Sequence, residues 1–251
     1  MAAVVIIPAR FGSTRFPAKI LASVTGKPLV QHVVERAKRC TRVRDVIVAT
    51  DDERIVAALR PFGTTAVMTS PAHQSGTDRI AEVARQMPEE IDIVVNVQGD
   101  EPEIEPDIID RLVERLETSD DDMATAATPF PAGVKVDDPN LVKVVTGIGG
   151  RAIYFSRCPI PFQREKSETA PYFKHIGLYV YQRDFLLAYS SLPVGPLETA
   201  ERLEQLRALE NGYRIRVVET EYESLGVDTA EDLERVSKLF AASNLQGMGN
   251  G

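Results

Sequence analysis

The sequence predicts an α/β protein: a doubly wound, mostly parallel sheet with a β-rich excursion in its second half. Three observations carry this expectation. Apolar runs of strand length alternate with helix-patterned stretches from the N-terminus to about Glu117. Those runs are continuously apolar, as strands buried on both faces are. From about Met123 to Tyr181 the regularity changes, and the chain reads mostly as strands and loops.

In order, "AAVVIIP" gives the first strand. "PLVQHVVERAKRC" follows as a helix whose Pro28 suits a first turn and whose basic end suits the C-terminal dipole. "RDVIVAT" is the second strand, and "DDERIVAALRPFG" a helix with acids first and Gly63 last. "TTAVMT" is a third strand, and "GTDRIAEVARQMP" a helix capped by Ser75 or Thr77. "IDIVVNVQ" has the strongest strand pattern of the chain, and "EPDIIDRLVERLE" is the next helix. The excursion supplies "MATAATPF", "LVKVVTG", "RAIYFSRCPIPF" and "HIGLYVY" as strands. Helices are expected around Arg183 to Ser190 and Leu197 to Asn211, then a strand "RIRVVE" and a final helix from near Thr229. The tail "NLQGMGNG" is expected to be disordered.

Composition narrows the function classes. The 251 residues are 43% hydrophobic and 26% charged, as in an ordinary soluble protein, and the length fits one large α/β domain or two small ones. A net charge of −8 disfavours wholesale binding to nucleic acid or an anionic membrane. With no Trp and 6% aromatics there is no stacking platform for single strands. No stretch reaches the roughly 20 apolar residues of a membrane span, and "MAAVVIIPAR" reads as a strand, not a signal peptide. Cys40 and Cys158 make neither a disulfide framework nor a metal set, and they suit a reducing cytoplasm.

Against that acidic background, "IIPARFGSTRFPAKIL" gathers Arg10, Arg15 and Lys19 on one loop after the first strand. Ligands of open α/β sheets bind beyond the strands' carboxyl ends. Amides near Gly12 and Ser13, with these three cations, suit a phosphate-rich ligand. The loop matches neither the P-loop nor the Rossmann fingerprint, and a solvated basic loop is the alternative. In "VVNVQGDEPEI", Asp100 ends a buried strand beside Gln98, where a divalent cation could sit; helix-start chemistry explains Glu103 and Glu105 but explains Asp100 less well. In "AHQSGTDRI", Ser75 and Gly76 open a helix with Asp78 and Arg79 in its first turn, which suits either a polar ligand edge or simple capping. Asp228 in "GVDTAEDLERV" reads alone as an N-cap; paired with Asp100 it becomes the second ligand of a Mg²⁺ completed by phosphate and water.

Other candidates have plain structural readings. His32 suits a structural role within its helix, and His175 at the start of an apolar strand suits a satisfied core position. Arg157 before two prolines requires an anion if buried. Glu201, Glu204 and Gln205 suit a solvated helix face. No Ser-His-Asp set, Cys/His metal set or nucleophilic cysteine stands out. Charge handling and positioning remain, and phosphoryl and nucleotidyl transfer ask for little else.

Taken together, "VIIPARFGSTRFPAK", "HQSGTDR", "VNVQGDEP", "YFSR", "HIGLYVY", "LEQLRALENG" and "GVDTAEDLERV" resemble the 3-deoxy-manno-octulosonate cytidylyltransferase family from Val4 to about Phe240. The resemblance implies a Rossmann-like, nucleotide-diphospho-sugar-transferase-like fold in one domain over 1–251. It also implies CTP and the sugar acid KDO as substrates, Mg²⁺ as cofactor, pyrophosphate as a product and a cytoplasmic place in lipopolysaccharide synthesis. A homodimer is implied, with a sugar-binding and dimerisation subregion at about 130–200. Carried over, Arg10, Ser13 and Lys19 hold the triphosphate with help from Arg15, and Ser75, Gly76 and Arg79 surround the nucleotide. Gln98, Arg157, His175, Tyr179, Glu204 and Gln205 meet the sugar acid, and Asp100 and Asp228 bind Mg²⁺. Arg10, Lys19, Asp100 and Asp228 are then the catalytic set. The family loop commonly reads "PGKPL" where this chain has "PAKIL", so a positive φ at Ala18 would be strained. The segment between Arg157 and His175 is also short for the family. A cytidylyltransferase for another sugar acid, such as the CMP-sialic acid type, a metal-dependent glycosyltransferase and a non-catalytic nucleotide-binding regulator are the rival readings.

Overall fold

The structure, a computed structural model, describes residues 1–12, 16–130, 133–164, 171–223 and 226–247, the last five by backbone alone. The chain runs β1 (Ala2–Ala9), a hairpin of β2 (Ser23–Val24) and β3 (Lys27–Pro28), α1 (Leu29–Ala37), β4 (Val43–Thr50), α2 (Glu53–Leu59) and β5 (Thr65–Met68). There follow α3 (Gly76–Arg85), β6 (Ile91–Asn96), α4 (Pro106–Glu117), β7 (Met123–Pro129), β8 (Lys143–Thr146), β9 (Ala152–Ser156) and β10 (Phe173–Gln182). Last come α5 (Arg183–Tyr189), α6 (Pro196–Glu201), α7 (Gln205–Glu210), β11 (Ile215–Glu219) and α8 (Ala230–Gly247).

The main sheet has the order β11-β7-β10-β6-β1-β4-β5, with β8 pairing β10 and β9 pairing β8. β10 alone runs antiparallel to its neighbours in that path, so the doubly wound, mostly parallel expectation holds. Side chains of β1 alternate between two cores: Val5 and Ile7 join the cluster under α1, α2 and α4, while Val4 and Ile6 join the one under α3 and α5. Each such fully buried side chain contributes roughly 1.5–3 kcal/mol by leaving water, which is why these runs carry no polar alternation. The chain goes from β1 to β4 and β5 on one side, then returns to place β6 on the other. That switch point opens a crevice beyond the carboxyl ends of β1 and β6.

Three expectations change. The helix expected around Leu197 to Asn211 is broken into α6 and α7, with Arg202 in the left-handed region at φ 53°. The tail is helical through Gly247, and 248–251 lie outside the described residues. Pro28 also precedes α1 instead of sitting in its first turn.

The excursion is tied to the sheet by a charge network. Asp121, with a fully buried side chain, accepts hydrogen bonds from Arg151 Nε at 2.5 Å and Arg216 Nε at 2.7 Å. Burial by itself raises the Asp121 pKa, but the bonds from Arg216 and Arg151 outweigh it and hold the carboxyl below its ordinary value. The contribution is therefore complete above the unfolded carboxyl's pKa of about 3.9 and is lost as pH falls through the lower folded value. Asp121→Asn is expected to cost about 2–4 kcal/mol at neutral pH and to flatten the loss of stability below about pH 4, as measured by urea denaturation across pH.

Candidate active site

Arg10 follows β1 directly, and its buried Nη2 has no hydrogen-bond partner among the described residues. A guanidinium nitrogen left so in the interior requires an anion or water. Lys19 starts a short 3₁₀ turn, Lys19–Leu21, and is 11% exposed. Its Nζ lies 2.5 Å from Asp100 Oδ2 and 3.2 Å from Asp228 Oδ1. Burial works against the Lys19 charge, yet Asp100 and then Asp228 more than offset it and hold the ammonium pKa above its ordinary value. Ala18, just before, takes φ 57°, the left-handed conformation that glycine favours.

Local structure explains the convergence. Gly99 lets the chain after β6 press onto β1 and the 3₁₀ turn: a Cβ there would lie 3.1 Å from Ile20 Cδ1 and 3.3 Å from the Pro8 carbonyl oxygen. Val227 N donates to the Asp100 carbonyl at 2.9 Å, which brings Asp228 alongside. The N-terminus of α8 is closed by a reciprocal pair: Thr229 N donates to Asp232 Oδ2 at 3.0 Å, and Asp232 N to Thr229 Oγ1 at 3.1 Å. Capping thus falls to Thr229 and Asp232, and the Asp228 carboxylate turns toward Lys19.

Those two carboxylates already share one cation, Lys19. Among the described residues no group of three or more His, Cys, Asp or Glu is placed to hold a metal. An Asp pair completed by phosphate and water oxygens fits Mg²⁺, which seldom takes an all-protein cage.

Two residues before Asp100, Gln98 lines a cavity of about 270 Å³ with Gly76, Asn96, Tyr179, Glu204 and Gln205. Ser75 caps α3 by accepting from Asp78 N at 3.0 Å. Glu204 and Gln205 reach the cavity because the chain turns at Arg202. Arg157 enforces that turn: its guanidinium donates to the carbonyl oxygens of Glu201 at 2.7 Å, Pro139 at 2.8 Å and Arg202 at 3.3 Å. Desolvation raises the Glu204 pKa, partly opposed by a hydrogen bond from Thr77.

Several expected contacts are placed differently. Arg79 is fully buried, bonded to Asp51 Oδ2 at 2.6 Å and to Thr69, so it braces the crevice from behind and does not face it. Arg157 spends its donors on carbonyls and His175 packs behind Tyr179, and neither lines the cavity. Desolvation pulls the His175 pKa down to about 3, so its imidazole is neutral at physiological pH. It contacts Thr125 Oγ1 through Nε2 at 2.9 Å. Ser13 and Arg15 lie outside the described residues. The turn at Arg202 buries Gln205, against the solvated-face reading, while Glu204 stays exposed with one carboxylate oxygen accepting from Thr77 at 3.1 Å. Sequence reasoning missed Asn96, Tyr181, Tyr189 and Arg202 as cavity residues; Asn96, polar near the end of an apolar strand, was the one visible signal.

Replacing Ala18 by glycine removes about 1–2 kcal/mol of left-handed strain and adds roughly 0.4–1 kcal/mol of unfolded-chain entropy. Ala18→Gly is thus expected to raise stability by up to about 1 kcal/mol, or about 2–4 °C in melting temperature for a chain of this size, as calorimetry would record.

Comparison with known proteins agrees with this geometry. The family model described as Cytidylyltransferase matches residues 4–216. A 3-deoxy-manno-octulosonate cytidylyltransferase from Solibacter usitatus is 63% identical over 247 residues, covering 98% of this chain and 97% of that one. A protein of the same name from Geobacter sulfurreducens is 54% identical, covering 92% of this chain and 96% of that one. A solved structure of CMP:2-keto-3-deoxy-manno-octonic acid synthetase complexed with CTP superposes with a TM-score of 0.91 at 44% identity, covering 97% of this chain and 100% of that chain.

Proposed function

The chain belongs to the 3-deoxy-manno-octulosonate cytidylyltransferase family, and on that premise we propose that it transfers the cytidylyl group of CTP to 3-deoxy-D-manno-octulosonate (KDO), giving CMP-KDO and pyrophosphate for lipopolysaccharide synthesis. The KDO anomeric oxygen bonds to the α-phosphorus of CTP, the bond to the bridging α–β oxygen breaks in line, the hydroxyl proton passes to solvent and pyrophosphate leaves. The observation that carries this reading is the meeting of Lys19, Asp100 and Asp228 two residues along the chain from a cavity lined by Gln98, Glu204 and Gln205.

Arg10 and Lys19, with Ser13 and Arg15 of the same loop, hold the triphosphate; the unpartnered Arg10 nitrogen supports an anion there. Both cations stabilise charge that builds on the phosphates as the bond breaks. Asp100 and Asp228 hold Mg²⁺, which when bound orients the phosphates and acidifies the attacking hydroxyl. The free amides beyond Ser75 and Gly76 meet the nucleotide. Gln98, Tyr179, Glu204 and Gln205 take the sugar acid, while His175 and Arg157 act from behind on Tyr179 and on the turn at Arg202.

The reading includes a cytoplasmic place, to which the free Cys40 and Cys158 are suited, and no helix among the described residues is long and apolar enough to cross a membrane. It also includes a homodimer formed through the 130–200 subregion. Exposed Ile148, Ile153, Phe162 and Val194 in that subregion support this.

Incubation with CTP, Mg²⁺ and KDO is expected to release pyrophosphate, with sialic acid inert in KDO's place. No release with KDO, or faster release with sialic acid, would overturn the assignment. Asp100→Asn is expected to lower kcat by about 100-fold or more, the scale of losing one electrostatic contact to reacting phosphate. Unchanged magnesium-dependent turnover in that variant would refute the metal role. In sedimentation velocity the chain is expected to run as a dimer, and Ile153→Glu to shift it toward monomer.

A further inference from the structure

Thr77 has a use beyond the start of a helix. It is the second residue of α3, it is 7% exposed, and Ser75, not Thr77, provides the cap. Its Oγ1 instead donates to Glu204 Oε2 at 3.1 Å, across 127 residues of chain. Asn96, Tyr181, Thr77 and Glu204 all line the cavity, and Thr77 to Glu204 is the bond that crosses it. Asn96 is 3% exposed, and its buried Oδ1 has no hydrogen-bond partner. An orphan acceptor at the edge of a polar cavity is satisfied by a donor arriving with the ligand.

Glu204 is held from both sides. Tyr189 Oη donates to its backbone oxygen at 2.5 Å, and Thr77 fixes one carboxylate oxygen. No Lys or Arg forms an ion pair with Glu204 among the described residues, so the Thr77 hydroxyl is the group that sets its orientation. A carboxylate so oriented presents its second oxygen to the hydroxyl groups of a polyol. Resting on the functional reading above, we infer that Thr77 is a positioning residue for the sugar acid, acting through Glu204, and that it links the nucleotide end of α3 to the sugar pocket.

The ionisation of Glu204 gives a readout that packing alone does not move. The charged groups acting on it are Arg207, Glu198 and Asp78, with Tyr179, Tyr181 and Tyr189 around the cavity. The Thr77 bond favours the carboxylate, so its loss moves ionisation, and the acid limb of kcat/KM for KDO, to higher pH.

The experiment compares Thr77→Val with Thr77→Ser in steady-state assays, with CTP affinity measured separately by calorimetry. Thr77→Val is expected to raise KM for KDO about 10- to 100-fold, the range of a lost hydrogen bond to a charged group. CTP affinity is expected to stay within about twofold, Thr77→Ser to recover most of the KM, and the acid limb to move up in the valine variant only. In a Glu204→Gln background the valine substitution is expected to add little. Thr77→Ala serves as the donor-free variant if the valine form does not fold. An equal loss with and without Glu204, or an equal fall in CTP affinity, overturns the inference. A wild-type protein inactive with KDO overturns the functional reading instead.

Discussion

The site depends on one ammonium group held between two carboxylates. Lys19, Asp100 and Asp228 come from the loop after β1, the turn after β6 and the lead into α8. Without a cation, two carboxylates sharing one place would repel each other. With Lys19 between them, three distant parts of the chain are pinned to one point at the sheet's switch point. The same ammonium group explains why a basic residue stands on this loop in a protein of net charge −8.

Other cations in the fold do purely structural work, and their partners separate them from Lys19. Arg79 bonds Asp51 and Thr69 through its two Nη atoms, and its buried Nε has no partner among the described residues. Lys143, fully buried, donates to the carbonyl oxygens of Asp138 at 3.0 Å and Leu141 at 2.7 Å and to that of Arg157. Arg157 in turn donates to three carbonyls around the Arg202 turn. Lys143 and Arg157 together tie the 138–141 loop to the turn at Arg202 that carries Glu204 to the cavity. Lys143 has its three donors on carbonyl oxygens, whereas the buried Arg10 Nη2 has no partner among the described residues.

The boundary between what the sequence discloses and what it hides follows from the range of the forces involved. Strands β1, β4 and β6 are legible because continuous apolar runs express burial locally, residue by residue. Asp100 is legible because a carboxylate at the end of such a run is costly without a partner. The break between α6 and α7 is not legible: "TAERLEQLRALENG" has a sound helical pattern with no glycine or proline at the break. Bonds from Arg157, over forty residues upstream, impose the left-handed turn at Arg202. The part played by Asp228 is equally hidden, because a cap and a metal ligand ask for the same residue type; the reciprocal bonding of Thr229 and Asp232 takes the cap and leaves the Asp228 carboxylate to Lys19. Arg79 lies in the first turn of α3, but its Nη atoms bond Asp51 and Thr69, just past the ends of β4 and β5.

The two ends of the site differ in their electrostatics. The end at Lys19 is ionic, gathering Arg10, Lys19, Asp100 and Asp228. The cavity beside it holds two opposite charges, Glu204 and Arg202, among Gln98, Gln205, Asn96 and the tyrosines, and His175 behind them is uncharged. A polyol is discriminated by the positions of its hydroxyl groups, and the Thr77 hydroxyl bonded to Glu204 fixes one acceptor that such a ligand would meet in this cavity. Helix α3 reaches this cavity with its first turn: Ser75 caps its start, and Gly76 and Thr77 line the wall.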